Sequence, residues 1–200
     1  MKKFIAIFLI LLLYTGCSRK EKKIVLPLSE EEIQQAIEYG RKRAKLTFIE
    51  FAKDWTIDLG YEEGKGMATL ITPFLRVALI GKKAAELGQK VDRKLIHMAL
   101  EKEIGYIHFK LQLYGDTPTF GRELKIYLEY KGKKIFPSYL HLPPYSEFTR
   151  DYYNVVKGDV KFAKSGIPDD ARIKLVVFYP EKGTRKASTC EFIFDLKKYR

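Results

Sequence analysis

Ile107-His108-Phe109-Lys110-Leu111-Gln112-Leu113-Tyr114 is the stretch whose pattern decides the fold class. Ile107, Phe109, Leu111 and Leu113 alternate with His108, Lys110, Gln112 and Tyr114, so an extended chain here has one apolar face and one polar face. A period of two marks a half-buried β-strand. Up to about residue 104 the apolar residues recur instead at steps of three and four, which is the helical period. Beyond it the period of two returns. Leu124, Ile126, Leu128 and Tyr130 alternate with Lys125, Tyr127 and Glu129, and Lys131-Gly132 reads as a hairpin turn into a strand over 133–140. Val160-Lys161-Phe162, the apolar run from Ile173 to Tyr179, and the alternating Cys190, Phe192, Phe194 and Leu196 supply further strands. Turn residues such as Gly115-Asp116-Thr117-Pro118 and Pro180-Glu181-Lys182-Gly183 separate them at short intervals. The pattern predicts an antiparallel β-sandwich of immunoglobulin-like type over residues 104–200.

The part before it, residues 29–103, reads as about three helices. Ser29-Glu30-Glu31-Glu32 has the form of a capping box, in which Ser29 caps the helix and Glu32 reaches back. Ile33, Ile37, Ala44, Phe48, Phe51 and Trp55 then follow helical spacing, which predicts one helix over roughly 30–56, loosened at Gly40. Thr72-Pro73 starts a second helix with the stripe Phe74, Val77, Ala78, Ala84, Ala85 and Leu87, and Gly88 stops it. Asp92 caps a third, carrying Leu95, Ile96, Ala99 and Leu100. Three short helices make a thin core alone, so the expected fold is α+β with the helical segment packed on the sandwich.

The first seventeen residues carry a different signal. Met1-Lys2-Lys3 is a short basic start, Phe4 to Leu13 is unbroken apolar sequence, and Tyr14-Thr15-Gly16 leads into Cys17. That order is the anatomy of a secretory signal over residues 1–16. With a cysteine at the cut point it resembles the lipobox of bacterial membrane lipoproteins, although Tyr14 stands where lipoboxes usually carry leucine. The resemblance implies that the Cys17 thiol receives a diacylglycerol, that Cys17 becomes the mature N-terminus, and that the membrane is a partner through the acyl anchor. Ser18 in place of aspartate resembles the outer-membrane sorting signal of diderm bacteria. A plain cleaved signal and an uncleaved anchor are the other readings, the latter short of the roughly 20 apolar residues that span a bilayer. Residues 17–28 then form a charged tether that includes Ser18-Arg19-Lys20-Glu21-Lys22-Lys23.

The 200 residues carry a formal net charge of +12, or +10 without Lys2 and Lys3. A basic balance suits anionic headgroups, an acidic envelope polymer or nucleic acid, and export makes nucleic acid the one to set aside. Lys and Glu are abundant while Asn occurs once, at Asn154, a compositional trend of thermophile proteins. With Cys17 acylated, Cys190 has no disulfide partner.

Few constellations invite chemistry. Gly60-Tyr61-Glu62-Glu63-Gly64-Lys65-Gly66 lacks the spacing and the Ser/Thr of a phosphate loop and carries two repelling glutamates. His97 and Glu101 lie four apart on a helix and His108 on the outward face of a strand, but no HExxH or CxxC pattern accompanies them, and all read as surface residues. Cys190 shares the apolar side of its strand, where a thiol is inert. No metal, cofactor or catalytic set is expected. The segment from Tyr139 to Tyr153 is aromatic-rich and stiffened by Pro143-Pro144, and Tyr145, Tyr152 and Tyr153 are its candidate partner contacts. The expected role is that of a non-enzymatic, lipid-anchored binding or scaffolding module for another envelope protein or polymer. Two alternatives are a small envelope hydrolase of a glycan or ester, using Glu101 or Glu147 near His141, and a carrier holding an apolar ligand between helices and sheet.

Overall fold

A computed structural model describes residues 27–149, 154–181 and 186–199. Among them are four α-helices and two antiparallel sheets. Helix α1, Glu30–Lys42, opens on the capping box: Glu32 N–H donates to Ser29 Oγ at 3.2 Å and Ser29 N–H to Glu32 Oε2 at 2.7 Å. The single helix expected over 30–56 is broken after Arg43. A second capping box, Thr47 with Glu50, opens the short α2, Phe48–Phe51, so the helices number four rather than three. The break is supported from outside, since Lys82 Nζ donates to the freed Ala44 carbonyl at 2.5 Å. Helix α3, Pro73–Glu86, is capped by Thr72, whose Oγ1 accepts from Leu75 N–H. Helix α4, Arg93–Glu101, is capped by Asp92.

The stretch 29–103 is not wholly helical. Strands β1, Thr56–Asp58, and β2, Gly66–Leu70, form a hairpin around the Gly60–Lys65 loop. Every residue of β2 is buried, so it lacks the alternation that marks a half-exposed strand. The later strands are β3, Tyr106–Gly115; β4, Lys125–Tyr130; β5, Lys133–Ile135; β6, Tyr139–His141; β7, Glu147–Phe148; β8, Asn154–Ala163; β9, Arg172–Tyr179; and β10, Ser188–Asp195. The first sheet runs β1-β2-β3-β8-β6, with β7 also on β8, and the second runs β10-β9-β4-β5. The strand expected over 133–140 is therefore divided between sheets. Lys131 and Gly132, at φ 50° and 73°, turn β4 into β5, and after Pro137 the chain crosses to pair β6 with β8.

Two separate apolar cores result. One lies between the sheets, where Phe109 of β3 meets Phe194 of β10 at 4.9 Å between ring centroids. The other gathers Ile33, Ile37, Phe51, Leu75, Ile96 and Leu100 among the helices. Within it α1 and α3 cross at Gly40 and Gly81, both buried. Gly40 is thus a packing residue of an intact helix and not a loosened point. A Cβ on Gly81 would lie 2.6 Å from the Ile37 carbonyl oxygen, whereas one on Gly88 would meet nothing within 4 Å, although Gly88 has φ +63°.

This contrast gives a measurable difference. Gly81→Ala is expected to cost about 2 kcal/mol or more through backbone displacement, and Gly88→Ala about 1 kcal/mol through left-handed strain alone. Urea midpoints at constant slope measure both.

Candidate functional site

Between the two cores the packing turns polar. The outward face of the first sheet sets side by side His108 and Lys161, and one step along Lys110 and Asp159, because these residues are register partners on β3 and β8. Tyr139 of β6 stands opposite Lys161 on its other side. From the helical layer, α3 brings Arg76, and the turn after α4 brings Glu103. Glu103 is the centre. Its carboxylate receives Arg76 Nη2 at 2.5 Å, His108 Nδ1 at 3.0 Å and Lys161 Nζ at 3.2 Å. Lys161 also donates to the Lys102 carbonyl at 3.1 Å, which ties the end of α4 to β8.

Burial by itself raises the Glu103 carboxyl's affinity for a proton. The hydrogen bond from His108 and the charges of Arg76, His108 and Lys161 outweigh it and hold the group at about 2. Asp159 is also held below the usual carboxylate range, first by its 3.1 Å hydrogen bond with His108 Nε2, against burial, and then by Lys110. His108, expected at the surface, is 5% exposed. Strand alternation assigns its face correctly, but the helical layer covers that face. Each His108 nitrogen faces a carboxylate, and Nδ1 also lies 2.9 Å from Arg76 Nη2.

Above this cluster runs a groove of about 620 Å³. Its polar floor is Arg76, Glu103, His108, Asp159 and Lys161, and its walls include Leu95 and Met98 of α4, Tyr106 and Tyr139. Those four wall residues are 43–50% exposed, an unusual gathering of large apolar groups around one hollow. A second crevice of about 410 Å³ lies where Leu28 and Phe74 of the helical layer approach Ile107, Leu196 and Tyr199.

Other expected sites fare differently. Cys17, Tyr152 and Tyr153 lie outside the described residues. Tyr145 sits in the connection between β6 and β7, exposed, with the Arg122 guanidinium 4.6 Å over its ring and Arg122 Nε donating to the Pro144 carbonyl. It does not line the groove. His97 and Glu101 are exposed on α4, also away from the groove lining, and no three His, Cys, Asp or Glu side chains among the described residues form a metal cluster. Glu147 is engaged by Lys157 at 2.7 Å, and His141 stands in register with Asp159. Cys190 is buried, and that burial pushes its thiol up to about 12.

Compared with known proteins, the chain matches no family model, no curated protein and no solved structure. No helix among the described residues is long and apolar enough to cross a membrane.

The cluster makes stability depend on pH with a definite sign. Glu103 titrates at about 2 when folded against an ordinary 4.5, so its contribution is complete above pH 4.5 and is lost as pH falls toward 2. Glu103→Gln leaves Arg76 and Lys161 without their shared counter-charge and is expected to cost about 3 kcal/mol at pH 7. Urea midpoints measured from pH 5 to pH 2 should fall less steeply in that variant than in the parent.

Proposed function

We propose that this chain is a lipid-anchored protein of a bacterial cell envelope, working as a non-enzymatic binding or scaffolding module. The order of residues 1–17 carries the location: basic start, apolar run and small residues before Cys17. In a diderm organism Ser18 favours the outer membrane. The tether to Ser29 is about eleven residues, which at ~3.6 Å each keeps the domain within roughly 40 Å of its membrane. Its cations strengthen the hold on anionic lipid.

The observation that carries binding is the groove, with exposed Leu95, Met98, Tyr106 and Tyr139 around convergent polar groups. Binding is favoured over acid–base catalysis because Glu103 stays ionised near neutral pH and is surrounded by cations, while the Cys190 thiol is buried and protonated. The partner is an envelope component, protein or polymer, whose acidity complements the basic chain. Tyr145, Tyr152 and Tyr153 are a second contact surface in this reading. The finer form of the β part is an immunoglobulin-like sandwich, supported by one core shared between two antiparallel sheets. The crevice between helices and sheet favours an apolar-ligand carrier as the second reading.

Two experiments test the proposal. Cells fed an alkyne fatty acid should label the parent, and Cys17→Ala should lose the label. Cross-linked partner recovered from envelopes should fall at least about five-fold with Met98→Asp, at unchanged thermal stability, since buried hot-spot contacts carry most interface energy. A labelled Cys17→Ala would sink the anchor, and undiminished recovery with Met98→Asp would sink the groove.

A further inference from the structure

We infer that the groove between α4 and the β8–β6 edge takes a small amphiphilic anion, a carboxylate or phosphate head on an apolar body. The inference rests on the reading of this groove as the binding surface and names its ligand class. Charge decides the head. Three cations, Arg76, Lys102 and Lys161, line the groove against two carboxylates, Glu103 and Asp159. Both carboxylates are committed within the protein, Glu103 to Arg76, His108 and Lys161, and Asp159 to His108 and Lys110. The cations are not all used. Lys102 is exposed and its ammonium makes no ion pair with any described residue, while its own carbonyl is fixed by Lys161. Arg76 keeps its Nε buried without a hydrogen-bond partner, and its side chain remains 29% exposed toward the groove. A partly exposed guanidinium and an unpaired ammonium lining one groove are donors that an incoming anion can meet.

The walls decide the body. Leu95 and Met98 of α4 stand half-exposed on one side and Tyr106 and Tyr139 on the other, so a short chain or ring is desolvated there while its head meets Lys102 and Arg76. A cationic ligand would face the excess of positive charge. A bare inorganic anion would leave the apolar walls uncovered.

Met98 makes the test direct. It lines the groove, 45% exposed, whereas Met67 is 3% exposed on β2 and serves as the internal control. The full chain, in lipid nanodiscs and labelled with methyl-¹³C methionine, is titrated with hexanoate, hexyl phosphate, hexanol, hexylammonium and inorganic phosphate. The Met98 methyl should shift saturably with hexanoate or hexyl phosphate, the stronger of the two identifying the head, while Met67 stays still. Hexanol, hexylammonium and inorganic phosphate should each bind at least about ten-fold more weakly. Lys102→Glu, at an exposed and unpaired position, should weaken hexanoate by about ten-fold with the Met67 signal unchanged. No saturable Met98 shift, equal binding of hexanol or hexylammonium, equal effect of inorganic phosphate, or an unaltered affinity in Lys102→Glu would each overturn the assignment. The two readings fail separately. A silent Met98 alongside partner loss in Met98→Asp removes the ligand class and keeps the binding surface. Hexanoate binding alongside undiminished partner recovery does the reverse.

Discussion

The Glu103 carboxylate, nearly buried and met by Arg76 from the helices and by His108 and Lys161 from the sheet, is the contact on which the arrangement of this protein depends. The helical core and the inter-sheet core are separate apolar clusters. Hydrophobic burial supplies most of the stability of both. Apolar packing is non-directional and leaves the angle between the layers loosely specified. A charged cluster with three directed donors is not so tolerant. A buried ion pair adds little net stability over an apolar replacement, but losing one partner is costly. The cluster therefore acts less as glue than as a docking key that fixes where α4 sits over β8.

That placement creates the groove. With α4 held by Lys161 through the Lys102 carbonyl, Leu95 and Met98 overhang the sheet edge instead of packing into either core. The same residues that fix the layers line its floor. Structure and proposed binding are thus coupled: a ligand head that engages Arg76 or Lys102 touches the group of charges that sets the geometry. In the lipid-anchored reading we propose, the tether presents this groove close to a membrane, where amphiphiles and envelope partners are both at hand.

Much of the fold was legible in the sequence because its signals are local. Ser29, Thr72 and Asp92 each announce a helix start, and each caps the helix expected of it. The alternation from Ile107 to Leu113 describes β3, and Cys190 lies in the core as its strand pattern requires. The break before α2 had a visible sign in Thr47 and Glu50, a second capping box masked by continuing helical spacing. Strand β2 had none, since burial on both faces erases alternation. The site was the least legible part. Arg76, Glu103, His108, Asp159 and Lys161 come from α3, the turn after α4, β3 and β8, and no spacing in the chain links them. Alternation assigned His108 to the outward face, and only the packed helices decide that this face is covered.

The most direct test of the central claim is a double-mutant cycle between the layers, measuring the unfolding free energies of Arg76→Met, Glu103→Leu and the pair. If Glu103 is the docking key, Arg76→Met removes its nearest donor and Glu103→Leu removes the Arg76 counter-charge, and the double variant recovers part of the loss, with a coupling of about 2 kcal/mol. Additive costs, with coupling inside about 0.5 kcal/mol, would show that the two residues do not act together and would contradict the account.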